Sequence, residues 1–498
     1  MHNGTGLFFW GFLVVYGIIM FAISPKAVTI GGFFKGTDKK GRAASSLMVT
    51  SSVFIAWIFA KSVYNCANMG YSYGIVGGIG YAVYWLCIPL TGFAIYRLRR
   101  RFAAKSMTDF LTSNYGVAAA FCFSAAILVR LFNEVWSNTS VIGGYYGESG
   151  SKPFIIAALL FTAITLGYSC WGGLRSSLIT DVLQAGLFVV LTLFWILPAH
   201  PMSAYLTSGS WKMDAGVDFV LGALLQCLSY GFHDAVLTDR GFICEEKKML
   251  KCFTVAGLLG FLAITLFSMI GVDAMLSGLE NVTDAAQSVA QGMGIAAFFL
   301  MAIMMVMCGG STLDSTFSSL AKLTARDLPA ILGKDPHEKA RWIGIGFMAF
   351  FAVVGNLPMI MGTDILAATT ISGTMIMGLG PIFLLHGAGP IKPTKIGFHL
   401  SFWIGMILGI VDTVSPDSLA FMNIGNGAYA NFLGVNFWGA VLCWGSYAVC
   451  GVVASMAEKT EGRPAWKGRT DEEIAALDAE RSAVGWEDID PEGIESAI

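Results

Sequence analysis

Residues 298–322 read FFLMAIMMVMCGGSTLDSTFSSLAK, an apolar run that gives way to hydroxyl side chains and one aspartate before a lysine. As a helix this stretch is roughly 37 Å long, which exceeds the hydrocarbon thickness of a bilayer. Small and polar side chains recur in it at spacings of three and four residues, which places them on one helical face beside Asp314. They are Cys308, Ser311, Thr312 and Ser315. Their oxygens suit a hard cation, whereas a seam of small residues between two helices is the alternative interpretation.

Apolar runs of similar length recur from one end of the chain to the other. Of the 498 residues, 55% are hydrophobic and only 13% are charged, which is about half the charged fraction of a soluble domain. We therefore predict an all-α membrane protein with about 13 transmembrane helices. The predicted spans are 7–23, 46–68, 73–96, 118–144, 153–172, 176–198, 217–236, 252–276, 293–321, 342–358, 362–386, 395–413 and 434–457.

The distribution of basic residues fixes the predicted orientation. Nearly all of the 31 lysines and arginines fall in alternate connecting segments, and the other connections hold only Lys152 and Lys212. By the positive-inside rule, the N-terminus lies outside and the C-terminus in the cytoplasm, as expected for a multi-pass protein of a plasma (inner) membrane. The first run, 7–23, has neither the basic start nor the cleavage site of a signal peptide, so we interpret it as a retained helix.

Several classes of protein are disfavoured by the rest of the composition. The acidic tail, 458–498, is predicted to be a mobile cytoplasmic segment with a helix at most around 471–481. The net charge is −2, which argues against a basic surface for nucleic acid. The chain also lacks the GxxxxGK[ST] motif that would indicate a nucleotide site. The ten cysteines show no CxxC spacing, so we interpret them as small apolar residues. The sequence has no HExxH motif, and no nucleophile–base pair stands out, so an enzyme is disfavoured.

Ionisable side chains inside the predicted spans are functional candidates because a charge in the bilayer is costly. Lys61 follows Trp57 by four residues in the second span, and Arg130 and Glu134 lie four apart on one face of the fourth. The alternative interpretation of Arg130 and Glu134 is an intrahelical ion pair that only stabilises the bundle.

Two further spans carry polar groups near the predicted cytoplasmic boundary. Asp181 lies about one to two turns inside the sixth span, where it either binds an ion or caps the helix. The seventh span ends with GFHDAVLTDR at 231–240, which is too polar for a lipid-facing helix. Gly231, His233 and Asp234 predict a helix break that lines a cavity. His233 is otherwise interpreted as a hydrogen-bonded packing residue or a proton carrier.

Five short motifs lie in these segments: WGGL at 171–174, TDVLQ at 180–184, STLDS at 311–315, TARD at 324–327 and MTDFL at 107–111. Together they resemble the sodium:solute symporter family, and the resemblance covers nearly the whole chain. It implies a LeuT-type core of two inverted five-helix repeats at 46–386. An extra helix at 7–23 precedes the core and two at 395–457 follow it, so that 1–457 form the transmembrane domain.

The resemblance also implies site residues. A main Na+ site would use backbone carbonyls of a broken helix and oxygens of the 298–322 helix, at Ile55, Ile58, Cys308, Ser311 and Thr312. A second ion site would lie at Asp181, near Asp314 and Ser315. Substrate contacts would fall near Lys61, Arg130 and Asp234, with Glu134, His233 and Trp57 beside them.

These residues predict a secondary symporter coupled to Na+ that imports a small polar solute by alternating access. Lys61 and Arg130 balance Glu134 and Asp234, so the favoured solute is an amino acid or a zwitterionic osmolyte, with urea or another small neutral amide as runner-up. Alternatively, Lys61 could pair with Asp234 and Arg130 with Glu134, so that these charges do not contact the solute. Coupling to H+ and a transporter-like sensor that signals through a partner protein are the competing functions.

Overall fold

The computed structural model describes residues 3–27, 29–195, 199–360, 372–458 and 463–483, and within these ranges the chain is helical without a β-strand. The first helices are α1 Asn3–Ile23, α2 Ile30–Lys35, α3 Ser46–Ile55, α4 Ala60–Ala82, α5 Cys87–Phe102, α6 Met107–Tyr115, α7 Val117–Gly144, α8 Lys152–Trp195, α9 Met202–Leu206, α10 Val217–Cys227 and α11 Ala235–Arg240. The others are α12 Glu246–Leu276, α13 Ala285–Gly292, α14 Ile295–Lys322, α15 Leu328–Ile331, α16 Ala340–Val354, α17 Leu357–Ile360, α18 Leu379–Leu384, α19 Lys395–Val414, α20 Ala430–Ala457 and α21 Asp471–Ala483.

Helix α4 folds back on itself at a glycine. Gly74 has φ 64° and ψ −151°, a left-handed backbone that glycine adopts at little cost. A β-carbon on Gly77 would lie 2.1 Å from the carbonyl oxygen of Met69, although residues eight apart in a straight helix are about 12 Å apart. The second and third predicted spans are therefore two arms joined by a tight turn.

Helix α8 has the same construction. Gly173 has φ 55° and ψ −145°. Tyr168 and Thr180, on either side of it, both donate to one carboxylate oxygen of Asp314, at 3.1 and 2.9 Å. Their Cα atoms would be about 18 Å apart along a straight helix, so the fifth and sixth predicted spans also fold against each other.

Two other helices are interrupted rather than folded back. Residues 56–59 separate α3 from α4, which is the break that the family resemblance implied. The break predicted at Gly231, His233 and Asp234 is confirmed, because Tyr230–His233 form a 3-10 turn between α10 and α11. Asp234 is extended and caps α11 by accepting the N–H of Leu237 at 3.1 Å.

Helix α14 forms the centre of the molecule, whereas α1 and α20 lie at the surface of the molecule. Every residue from Met304 to Ala321 is buried, as expected for a helix enclosed on all sides. At the surface, Leu7 and Met456 are 78% and 80% exposed, which suits contact with lipid. Nine helical segments of the described chain are long and apolar enough to cross a membrane.

The predicted total of about 13 spans stays a prediction. Two of the nine long segments contain the glycine turns, and the two interrupted helices are made of shorter pieces. Positions 361–371 of the predicted span 362–386, and 196–198 of the span 176–198, lie outside the described residues. The division of the chain into a core, extra helices and a tail likewise stays a prediction.

The tail differs from its prediction as a mobile segment. Residues 471–483 form α21, and Asp478 on it pairs with Arg100 at 2.6 Å and with Lys247 at 3.0 Å. Arg100 ends one transmembrane helix and Lys247 begins another, so their charges hold the tail helix against the body of the protein. The predicted helix at 471–481 is confirmed, while 484–498 lie outside the described residues.

Candidate cation and solute site

Helix α14 lies against the break between α3 and α4. The hydroxyl of Thr312 lies 3.1 Å from the carbonyl oxygen of Cys308 and 3.4 Å from that of Ala56 in the break. The carbonyl of Ile55, a predicted ligand, accepts the N–H of Ile58 at 2.9 Å. The predicted cation residues of the two elements are thus neighbours, and the carbonyl that faces Thr312 is that of Ala56, which lies between the two predicted residues Ile55 and Ile58.

The second predicted ion position forms a separate network around two buried carboxylates. Asp314 accepts hydrogen bonds from Ser177 at 2.8 Å, Thr180 at 2.9 Å and Tyr168 at 3.1 Å. Ser177 also lies 2.9 Å from the hydroxyl of Ser315. The prediction that Asp181 and Asp314 lie near each other agrees with this network, because the hydroxyl of Ser177 lies 3.4 Å from Asp181 and 2.8 Å from Asp314. No basic side chain of the described chain pairs with Asp314.

Asp181 has a partner that the sequence analysis missed. Arg240, at the end of α11, is fully buried and lies 3.4 Å from Asp181. Its guanidinium also donates to Ser315 at 2.7 Å and to Ser52 at 2.5 Å. Ser311, predicted at the main site, donates to the other oxygen of Asp181 at 2.5 Å. The signal in the sequence that could have indicated Arg240 is its position at the end of the polar segment 231–240, which follows the helix break.

The four intramembrane charges predicted to contact the solute form one chain of ion pairs, which we call the solute cluster. Lys61 pairs with Glu134 at 2.7 Å, and Arg130 bridges Glu134 at 2.6 Å and Asp234 at 3.1 Å. Of the two internal pairings that the sequence left open, Arg130–Glu134 is present, whereas Lys61 pairs with Glu134 rather than Asp234. Asn138 holds the second oxygen of Glu134 at 3.0 Å.

Aromatic rings enclose this cluster. The guanidinium of Arg130 lies over the rings of Phe59 and Tyr230, at 5.3 and 5.1 Å. Trp57 packs edge-on against Tyr230 with ring centroids 5.9 Å apart. The indole N–H of Trp57 and the Nε–H of Arg130 have no hydrogen-bond partner among the described residues. Unpaired buried donors are rare in folded proteins, so these two are candidates for binding a ligand oxygen.

His233 faces the backbone of its own turn. Its Nδ1 lies 2.7 Å from the carbonyl oxygen of Tyr230, and the two rings stack edge-on. Its Nε2 has no partner within the described part of the chain. The contacts of Nδ1 favour the predicted packing role, in which His233 holds the shape of the helix break.

The chain is similar to known proteins in both sequence and fold. No family model matches the chain. The sodium/pantothenate symporter of Escherichia coli is 22% identical over 188 residues, which are 36% of this chain and 39% of the symporter. The probable urea active transporter 2 of Schizosaccharomyces pombe is 21% identical over 371 residues, 63% of this chain and 54% of the transporter. The chain therefore matches about half or less of the length of these curated relatives.

Solved structures extend the likeness over almost the full chain. A Na+-coupled sialic acid symporter in a substrate-bound outward-open state superposes with a TM-score of 0.67 at 15% identity, covering 92% of this chain and 98% of that chain. The protein has a LeuT-type transporter fold. A nucleobase-cation-symport-1 family transporter gives a TM-score of 0.51 at 12% identity, covering 84% of this chain and 95% of that chain.

These findings confirm the predicted all-α membrane fold with a LeuT-type core. They also confirm the predicted resemblance to sodium-coupled solute symporters, since the relatives and the structural neighbours are transporters rather than enzymes. The residues that hold ions and solute remain predictions.

Proposed function

We propose that this protein couples the entry of Na+ to the import of a small polar solute without net charge. The observation that carries the proposal is the buried carboxylate of Asp314, which four hydroxyls surround, those of Ser177, Thr180, Tyr168 and Ser315, and which no basic residue of the described chain neutralises. An unpaired charge in a low-dielectric interior is costly. A cation that binds among these oxygens would remove that cost.

The helix break supports a second position for the cation. Carbonyl oxygens released from helical hydrogen bonding are ligands for Na+ in discontinuous transporter helices. Ala56 supplies such a carbonyl, and Thr312 brings a hydroxyl to it from the facing helix. Cation binding at this position would hold α14 against the break, and its release would allow the two elements to separate.

The solute class follows from the charges and the unpaired donors of the solute cluster. The quartet is neutral and already paired internally, so a solute with net charge would leave one buried charge unmatched. Three of the five N–H donors of Arg130 are engaged, by Glu134, Tyr230 and Asp234, so a carboxylate of the solute would compete with Glu134 and Asp234 for the same guanidinium. The indole N–H of Trp57 and the Nε–H of Arg130, which have no partner in the described chain, are each able to donate to a carbonyl oxygen.

This arrangement moves a small neutral amide, of which urea is the simplest, ahead of the amino acid or zwitterionic osmolyte predicted from the sequence. The amide oxygen would accept from Trp57 and Arg130, while its N–H groups would donate to Glu134 or Asp234. The name of the fission yeast relative, a probable urea active transporter, supports the same choice. A neutral amide needs no change in the ion pairs of the site.

Uptake into proteoliposomes tests both parts of the proposal. A Na+ gradient and a pH gradient are imposed separately, with a panel of urea, acetamide, proline, glycine betaine and a sugar. We expect Na+-driven accumulation of an amide and little response to the pH gradient alone. Uptake that is driven by the pH gradient without Na+ would contradict Na+ coupling and favour H+. Preferred uptake of proline, glycine betaine or the sugar would contradict the neutral amide, and no uptake in the panel would favour a sensor.

A further inference from the structure

A second charged cluster lies between the solute cluster and the end of the molecule that is predicted to be cytoplasmic. Nζ of Lys322, the last residue of α14, lies 2.8 Å from Oδ1 of Asp239 on α11 and 2.8 Å from Oδ2 of Asp327. Asp327 ends the π-helical turn that follows α14. We call these three residues the Lys322 triad. Their side chains are 18%, 12% and 16% exposed, whereas those of the solute cluster are almost completely buried.

A crevice lies between the two clusters. Its volume is about 10 Å³, which is room for about one water molecule. Ile127, three residues before Arg130 on α7, lines one part of it, and Thr238 and the Lys322 triad line another. No residue of the solute cluster itself lines the crevice, but Ala235, the neighbour of Asp234, and the Lys322 triad line it together. The crevice therefore lies next to both clusters.

The ion pair also joins the two helices that carry the proposed site. Helix α11 begins beside Asp234 of the solute cluster and carries Asp239 about 7.5 Å further along its axis. Helix α14 carries Thr312 of the cation position and Lys322 about 15 Å further along. Separation of α11 from α14 at this end would widen the crevice, and it requires that the Lys322–Asp239 contact break.

We propose that Lys322 is the latch of an inner gate, which closes the path from the solute cluster to the cytoplasm by pairing with Asp239 and Asp327. The proposal rests on the proposed transport function for its purpose and on the geometry of the triad for its mechanism. When the latch opens, water solvates the lysine and the two carboxylates. The ions are near the surface already, so the cost of opening is small enough for a transport cycle.

The competing role for Lys322 is structural, as a positive charge at the C-terminal end of α14 that interacts with the helix dipole. That role predicts a loss of stability when the charge is removed, without a change in access to the crevice. A measurement of access from the cytoplasmic side separates the two roles, and it needs no knowledge of the solute.

The reporter is Thr238→Cys, a substitution of similar size in the wall of the crevice. In inside-out vesicles, the rate of reaction with a membrane-impermeant maleimide measures the fraction of molecules in which the crevice is open to the cytoplasmic side. The rate for the parent chain, which has ten cysteines, is subtracted. We expect Lys322→Gln to raise the reporter's rate roughly tenfold, corresponding to about 1.4 kcal/mol. Lys322→Arg keeps the positive charge and should leave the reporter's rate low. The double variant Lys322→Asp with Asp239→Lys exchanges the two charges, and it should restore the low rate.

A control reporter, Ala157→Cys on α8, is fully buried and outside the crevice. Its labelling must stay low in Lys322→Gln. If it rises, that variant is misfolded, and Asp239→Asn takes its place with the same expectation. An unchanged Thr238→Cys rate in a folded variant, or a high rate in the charge-exchanged pair, would overturn the latch. If the labelling of Thr238→Cys depends on Lys322 as expected but the protein takes up no solute, the result instead contradicts the proposed transport function.

Discussion

Single side chains at this site are held by contacts that cross between helices. The hydroxyl of Thr312 reaches a carbonyl of its own helix and one in the break of another, at 3.1 and 3.4 Å. Arg240 similarly reaches Asp181 from a third helix. Each contact that crosses between helices joins them through a polar group of the proposed ion sites, so small changes in these side chains should alter ion dependence before they alter folding.

Thr312→Ala should raise the Na+ concentration for half-maximal uptake roughly tenfold, because the loss of one ligand oxygen costs about 1.4 kcal/mol. Solute affinity at saturating Na+ should change much less. The comparison is Thr312→Ser, which keeps the hydroxyl and should resemble the parent. Identical Na+ curves for parent, serine and alanine variants would remove Thr312 from the cation site.

Among the elements, the turn inside α8 depends on a glycine that no other residue can replace easily. Gly173 has a positive φ, and a β-carbon on it would lie 2.4 Å from the backbone oxygen of Phe33. This turn places Tyr168 and Thr180 on the same carboxylate, so the geometry around Asp314 depends on it.

Gly173→Ala should destabilise the protein by about 1–3 kcal/mol from backbone strain alone, with the clash against Phe33 in addition. Thermal unfolding of the purified protein in detergent measures the change. Gly186, in the same helix, has no atom within 4 Å of an added β-carbon, so Gly186→Ala is the matched control and should be neutral or slightly stabilising. Equal melting temperatures for the two variants would contradict the role of the turn.

The tail helix α21 is an element held by charge rather than by apolar packing. The hydrogen bond from Arg100, followed by that from Lys247, lowers the pKa of Asp478 to about 2. The folded pKa is below that of a free aspartate, so the contribution of Asp478 is complete above about pH 4. It is lost as the pH falls toward 2, and no change is expected between pH 5 and 8.

Asp478→Asn should therefore release the tail helix at neutral pH, and high salt should weaken docking of the parent by screening these partly exposed pairs. The rate of tryptic cleavage after Lys467 or Arg469 reports release. Glu480→Gln removes the same charge at an exposed position of the same helix and should leave cleavage unchanged. Equal cleavage of the two variants would show that Asp478 does not hold the tail.

At the scale of the whole molecule, the segments predicted to be cytoplasmic meet one another. Arg175 donates to the carbonyl of Gly36 at 3.1 Å, and Arg341 donates to that of Ala27 at 2.9 Å. Each contact joins two segments that the positive-inside rule placed on one side. This gathering of basic segments at one end is consistent with the predicted orientation, which remains a proposal.

A cysteine at Asn281 should react with an impermeant maleimide added to intact cells, and one at Lys248 should react only after the membrane is opened. Asn281 is exposed, whereas Ser208, in another connection predicted to lie outside, is only 7% exposed and is a poor reporter. Strong labelling of Lys248→Cys in intact cells would reverse the proposed orientation.

The sequence alone determined the features that depend on local composition and spacing. Apolar runs of bilayer length, the side of the basic residues and the polar face of 298–322 are properties of single segments, so hydropathy and helical periodicity were sufficient to predict them. The break at 231–234 was predictable for the same reason, because its polar residues adjoin one another in the chain.

Only the tertiary structure decided which charges meet. Lys61 pairs with Glu134 rather than Asp234, Arg240 reaches Asp181 from 59 residues away, and the tail helix binds Arg100. Ion pairs act over a few ångströms in space and carry no signature in spacing along the chain. The sequence could therefore supply a neutral set of buried charges, whereas the packing of helices selected the partners and left Asp314 without a basic one among the described residues.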